Sequence, residues 1–116
     1  YIDAGGQRVS ALHVEDAADL YLLALETSTA KGLYNASAET VSMRELSEAI
    51  ARLLDVKAKS ITADEARRQF GKMFEFLSIN NELDAAKARR ELGWSPQSYN
   101  SVLDDIENGS YRKYRE

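Results

Sequence analysis

Hydrophobic and polar residues alternate along the start of the chain and then fall into a longer period. Tyr1 to Val14 reads as a hairpin turning at Ala4-Gly5-Gly6-Gln7, because paired glycines accept the positive φ values of tight hairpin turns. Its returning strand runs from Arg8 to Val14. From Glu15 onward Ala17, Leu20, Tyr21, Ala24 and Leu25 recur at helical spacing, and Asp16 is placed to cap or flank the first turn. That helix ends between Thr27 and Gly32, and Leu33 to Ala36 follows as a short strand candidate.

Ser42-Met43-Arg44-Glu45 has the form of a capping box, with Met43, Leu46, Ile50, Leu53 and Leu54 as the apolar stripe of the helix behind it. Val56 to Thr62 reads as a short strand, and Ala63 to Phe70 as a short helix stopped by Gly71. Lys72 to Ile79 is rich in large apolar side chains without a clear period, so its state stays open. Asn80 or Asn81 is the expected cap of a further helix through Leu92, which Gly93 ends and Pro96 keeps from resuming. After a loop from Ser95 to Asn100, Ser101 caps a last helix to about Asn108, and Tyr111 to Glu116 is expected to fray. Helices separated by short strands place the chain in the α/β class.

Composition narrows this picture. With 116 residues, 44% of them hydrophobic, the chain fits one domain spanning 1–116, and no linker or repeat marks a boundary. Nineteen acidic against fifteen basic side chains leave a net charge of −4, which argues against a nucleic-acid partner, because phosphate binding draws on surplus Lys and Arg. The absence of cysteine excludes disulfides, thiolate metal sites and thiol nucleophiles. No apolar run reaches membrane-spanning length, so no membrane partner is expected and a cytoplasmic location is the default. The chain starts at Tyr1, inside an alternating stretch, as a piece cut from something longer would.

The missing motifs carry as much weight as those present. No Gly-x-Gly-x-x-Gly or Walker stretch offers a backbone nest for phosphates, and no tyrosine is followed four places later by lysine. No Gly-x-Ser-x-Gly elbow presents a nucleophile, which leaves a hydrolase built on His13 and Asp16 without its central group. His13, the single histidine, is either a substrate contact or a strand-end residue whose ring is hydrogen-bonded for structure, with Asp16 holding the strand-to-helix turn. Phe70, Phe74 and Phe76 with Met73 either line a ligand cavity or pack a core or lid. The pairs Arg67-Arg68 and Arg89-Arg90 either clamp a phosphate or form solvated helix faces.

Three segments together resemble a known family. Leu12-His13-Val14-Glu15-Asp16-Ala17-Ala18-Asp19, continuing to Ala24-Leu25, is similar to the "VHVxDxA…AL" segment of extended and atypical short-chain dehydrogenase/reductases, the NAD-dependent epimerase/dehydratase family. Leu83 to Pro96 resembles that family's "D-x-x-K-A-x-x-x-L-G-W-x-P", carried here by Asp84, Lys87, Ala88, Leu92, Gly93, Trp94 and Pro96. Leu33-Tyr34-Asn35 lies where the family has its "YN" strand, so the resemblance covers nearly the whole chain in order.

The resemblance implies the C-terminal, substrate-binding part of a Rossmann-type enzyme, with the cofactor domain and the Tyr-x-x-x-Lys pair lying upstream. On that reading the chain binds no cofactor itself, NAD or NADP belongs to the longer parent, and this piece walls a pocket for a small-molecule substrate. The candidate pocket residues are Arg8, His13, Phe74 and Phe76, and none of them is a catalyst. Two positions depart from the family pattern: Val9 and Phe74 stand where nucleotide-sugar epimerases place anion-gripping arginines. That moves the implied substrate toward a less phosphorylated, more apolar carbonyl or hydroxyl compound. The exposed edge left by a missing lobe implies a homodimer or exchange of elements in the isolated chain. The alternative is a free-standing interaction module whose helices present a partner surface.

Overall fold

Side chains that accept leftover first-turn amides fix where most of the helices begin. In the computed structural model, which describes residues 1–97 and 101–115, strand β1 (Arg8–Ala11) leads to helix α1 (Val14–Glu26), capped by His13. Strand β2 (Glu39–Ser42) runs straight into α2 (Met43–Leu53), where Ser42 and Glu45 close a full capping box. Helix α3 (Ala63–Phe70) starts from a second box, Thr62 with Glu65, and α4 (Met73–Ser78) follows after Gly71. Helix α5 (Ala86–Leu92) ends on left-handed Gly93, and α6 (Val102–Asn108), capped by Ser101, passes into a 3₁₀ turn at Ser110–Tyr114. The fold is mixed α/β and mainly helical, with β1 and β2 paired in a small two-stranded sheet. Its strands run antiparallel: the Met43 N–H meets the Gln7 carbonyl at 2.8 Å, and the Ala38 N–H meets the Ala11 carbonyl at 3.0 Å.

The chain divides into two compact units. The first gathers residues 1–9, 41–81 and 100–116. It has two small cores: Ile2, Ala66 and Phe74 in one, and Ala49 and Leu53 of α2 with Ile106 of α6 in the other. The second unit, residues 10–40 and 82–99, has one core of Leu20, Ala85, Ala88, Leu92 and Trp94.

Several expectations from the sequence are corrected. Tyr1 to Val14 is not a hairpin. Its first residues join a parallel ladder in which the Ile61 N–H donates to the Tyr1 carbonyl at 2.9 Å and the Asp3 N–H to the Ile61 carbonyl at 2.8 Å. The glycine turn is real, but it hands the chain to a new partner. A Cβ on Gly5, at φ +68°, would lie 2.6 Å from the Arg44 Cβ, so the turn is wedged against α2 and cannot fold β1 back on Tyr1 and Ile2. The returning strand also stops at Ala11, because His13 already belongs to the cap of α1.

Leu33 to Ala36 is not a strand, and the second strand forms instead at Glu39–Ser42. The Leu33 carbonyl is taken by a lysine side chain, described below. Val56 to Thr62 contributes a single bridge at Ile61 in place of a strand. Asn80 and Asn81 do not cap α5: the Asn80 Oδ1 accepts the Arg8 N–H at 2.9 Å, Asn81 bridges Val9, and the helix starts later, at Ala86. The inward stripe of α2 is also rotated, since Ile50 and Leu54 are exposed while Ala49 and Leu53 are buried. The open segment Lys72–Ile79 contains α4, and the expected frayed end contains the 3₁₀ turn. Residues 98–100 of the expected loop lie outside the described residues.

Candidate functional site

In the second unit the three motif segments meet. Trp94, 2% exposed, packs on Leu20, Ala85, Ala88 and Leu92, and its indole N–H donates to the Asp16 carbonyl at 3.0 Å. The Asp16 side chain is buried as well, and its Oδ1 accepts the Gln97 N–H at 2.7 Å. A buried carboxylate is costly unless hydrogen-bonded, so these bonds lock the start of α1 to the chain leaving α5. Gly93 makes this possible: its left-handed φ of 64° and ψ of 20° end α5 and turn Trp94 back over the helix.

The middle motif joins through Lys87. Its ammonium lies 4.3 Å from the Tyr34 ring centroid and donates to the carbonyls of Lys31 and Leu33, each at 3.0 Å. The Tyr34 hydroxyl donates to Glu91 at 2.9 Å. Lys87 therefore serves as a clamp on the 31–34 backbone, while the Asp84 Oδ1 accepts the Ala86 N–H at 2.8 Å. This assembly is architectural.

In the first unit a cavity of about 410 Å³ opens between the Tyr1–Ile2 ladder, the start of α2 and the end of α3. Ile2, Met43, Ile61, Phe70 and Leu77 supply its apolar wall, and Gln7 and Ser47 line it as polar groups. The Gln7 Oε1 is buried and has no hydrogen-bond partner among the described residues. The Ser47 hydroxyl donates to the Met43 carbonyl at 2.7 Å, one turn back along α2.

The helices around this cavity are held by exposed polar pairs. Hydrogen bonds from the Ser42 backbone N–H and hydroxyl hold the Glu45 carboxyl below its ordinary value, and Thr62 does the same for Glu65. The Arg52 guanidinium, 2.6 Å from Glu107, lowers that carboxyl in turn.

The residues singled out from the sequence lie as follows. His13 is the cap of α1, its Nδ1 accepting the Glu15 N–H at 3.2 Å. Asp16, expected at the strand-to-helix turn, is committed to Trp94 and Gln97. Arg8 opens β1, with its N–H given to Asn80. Phe74 is buried in the core with Ile2 and Ala66, beneath the Arg67 guanidinium at 4.5 Å, whereas Phe76 is 64% exposed. None of Arg8, Phe74 or Phe76 lines the cavity described above, although Phe70 does. Gln7 was missed because its significance comes from burial beside residues distant in sequence. The Thr62-x-x-Glu65 box was missed too, because Thr62 reads as the end of a strand, although its spacing is a signal present in the sequence.

The dinucleotide implied by the resemblance has no cradle among the described residues. Both strand-to-helix turns carry side-chain caps: His13 takes the Glu15 amide, and Ser42 takes the Glu45 amide. A pyrophosphate needs such amides free at a glycine-rich turn, so these residues do not fit the group.

No family model matches the chain, and no solved structure matches it. It is similar to two fungal proteins named as uncharacterized. C2A9.02 of Schizosaccharomyces pombe is 34% identical over 112 residues, 96% of this chain and 38% of that protein. YLL056C of Saccharomyces cerevisiae is 30% identical over 107 residues, 91% of this chain and 36% of that protein. The chain thus spans well under half the length of these curated relatives.

Proposed function

We propose that this chain is the substrate-binding portion of a longer NAD(P)-dependent oxidoreductase of the epimerase/dehydratase type, and that it is catalytically incomplete by itself. The observation that carries the reading is the convergence of the three resembling segments, through Asp16, Tyr34, Lys87 and Trp94, into one hydrogen-bonded assembly. Residues that resemble a pattern by chance need not meet. Here each motif's polar residues take up groups of another motif, as a shared architecture requires.

Helix α1 supports the same reading. Leu20, Leu23 and Ala24 face its own core, while Val14, Tyr21, Leu22 and Leu25 are exposed, Leu25 by 84%. A helix apolar on both sides is built to be covered on both. In the longer protein the cover is the remainder of the chain, which also holds the dinucleotide. The relatives' greater length leaves room for such a lobe.

Titration of NADH and NADPH, followed by nucleotide fluorescence, tests this. The 116-residue chain binds neither, and the full-length Schizosaccharomyces pombe relative binds one of them stoichiometrically. Stoichiometric binding by the chain itself, or no binding by the full-length relative, overturns the proposal.

A further inference from the structure

The cavity of the first unit is mismatched to water and to an apolar filling alike. Its wall is mainly hydrocarbon, so water inside has few partners. Yet the Gln7 Oε1 is buried with no donor among the described residues, and a purely apolar occupant would leave it unsatisfied. Ser47 cannot supply the donor, because its proton is already given to the Met43 carbonyl. The two oxygens set into this wall, the Gln7 Oε1 and the Ser47 hydroxyl, therefore both offer lone pairs, while Gln69, which also lines it, is exposed. Lys59 also lines the cavity but is exposed, so its charge stays solvated at the rim.

We propose that this cavity binds a small uncharged molecule, mostly hydrocarbon, that donates one hydroxyl proton to the Gln7 Oε1. At protein-like packing, about 410 Å³ holds a body of up to roughly twenty non-hydrogen atoms. A carboxylate is disfavoured, since it would bring its charge against a buried acceptor. The inference concerns the cavity alone and does not rest on the oxidoreductase reading.

Three probes that share one skeleton separate the possibilities: phenylbutanol, which donates; phenylbutyl methyl ether, which only accepts; and phenylbutyrate, which is charged. Each is titrated into the isotopically labelled chain, with backbone amide shifts recorded. Phenylbutanol shifts the amides of Ile2, Gln7, Met43 and Ile61 and binds about tenfold tighter than the ether, the ratio expected for one buried hydrogen bond. Replacing Gln7 with leucine (Gln7→Leu) removes the acceptor and brings alcohol and ether to parity while ether binding persists. Should that variant fail to fold, the alcohol-to-ether ratio on the unaltered chain decides. Equal affinities there, tightest binding by phenylbutyrate, shifts that map outside the cavity, or no binding up to probe solubility each overturn the proposal.

Discussion

In the unit built from residues 10–40 and 82–99, the buried polar residues find partners: Asp16 receives Trp94 and Gln97, and Ser37 donates to the Glu39 carbonyl. In the unit that holds α2, α3 and α6, polar bonding lies outside, in two capping boxes and an Arg52–Glu107 pair, while the Gln7 Oε1 finds no donor among the described residues. The contrast separates two kinds of legibility. Residues that hold a backbone in place leave recurring spacings in a sequence, as Asp16, Lys87 and Trp94 do. Residues that could hold a ligand are drawn from scattered positions and leave none.

The contrast can be broken most severely at Trp94. Trp94→Ala empties the centre of the second unit's core and removes the indole bond to the Asp16 carbonyl, at an expected cost of about 3–5 kcal/mol by urea unfolding. A loss below about 1 kcal/mol would mean that the indole is not the keystone of that unit.

A smaller effect is expected at Lys87. Lys87→Met keeps much of the aliphatic stem but gives up the bonds to the carbonyls of Lys31 and Leu33 and the contact with Tyr34. About 1 kcal/mol should be lost, and amide exchange should quicken around residues 31–34. If exchange there is unchanged, the lysine is not the clamp described.

Acid should act gently on the first unit. Glu45, Glu65 and Glu107 are each held below the ordinary carboxylate range by a partner that prefers the ionised form. A depressed carboxyl adds stability above the unfolded-state value, and that contribution is lost as pH falls through the lower folded values. Amide protection at the starts of α2 and α3 should therefore decline as pH drops below the ordinary glutamate range. Ser42→Ala and Thr62→Ala should reduce that acid dependence only in part, because the backbone N–H bond to each glutamate remains, and each should cost about 1 kcal/mol through the lost cap. Protection that stays flat with pH would show that the boxes are not coupled to folding.

Much of the helical fold was legible in the sequence, and for local reasons. Ser42 with Glu45, Ala63–Phe70 before Gly71, Gly93 after Leu92, and Ser101 before α6 are all signals decided within one or two turns of chain. Of the strands only the start of β1 at Arg8 was legible, because pairing depends on what lies opposite. Tyr1 and Ile2 find Ile61 instead of the far arm of a hairpin, and Leu33 gives its carbonyl to Lys87 instead of a neighbouring strand. Asp16 was singled out as a turn residue because its bonding partners lie about eighty positions away.

The most direct test is a chimera in which this chain replaces the matched segment of the Schizosaccharomyces pombe relative, assayed for nicotinamide-linked turnover on a panel of apolar carbonyl and hydroxyl compounds. The account predicts a hybrid that keeps its host's nucleotide affinity and changes its order of substrate preference. A folded hybrid with normal nucleotide binding and the host's substrate order intact would contradict it.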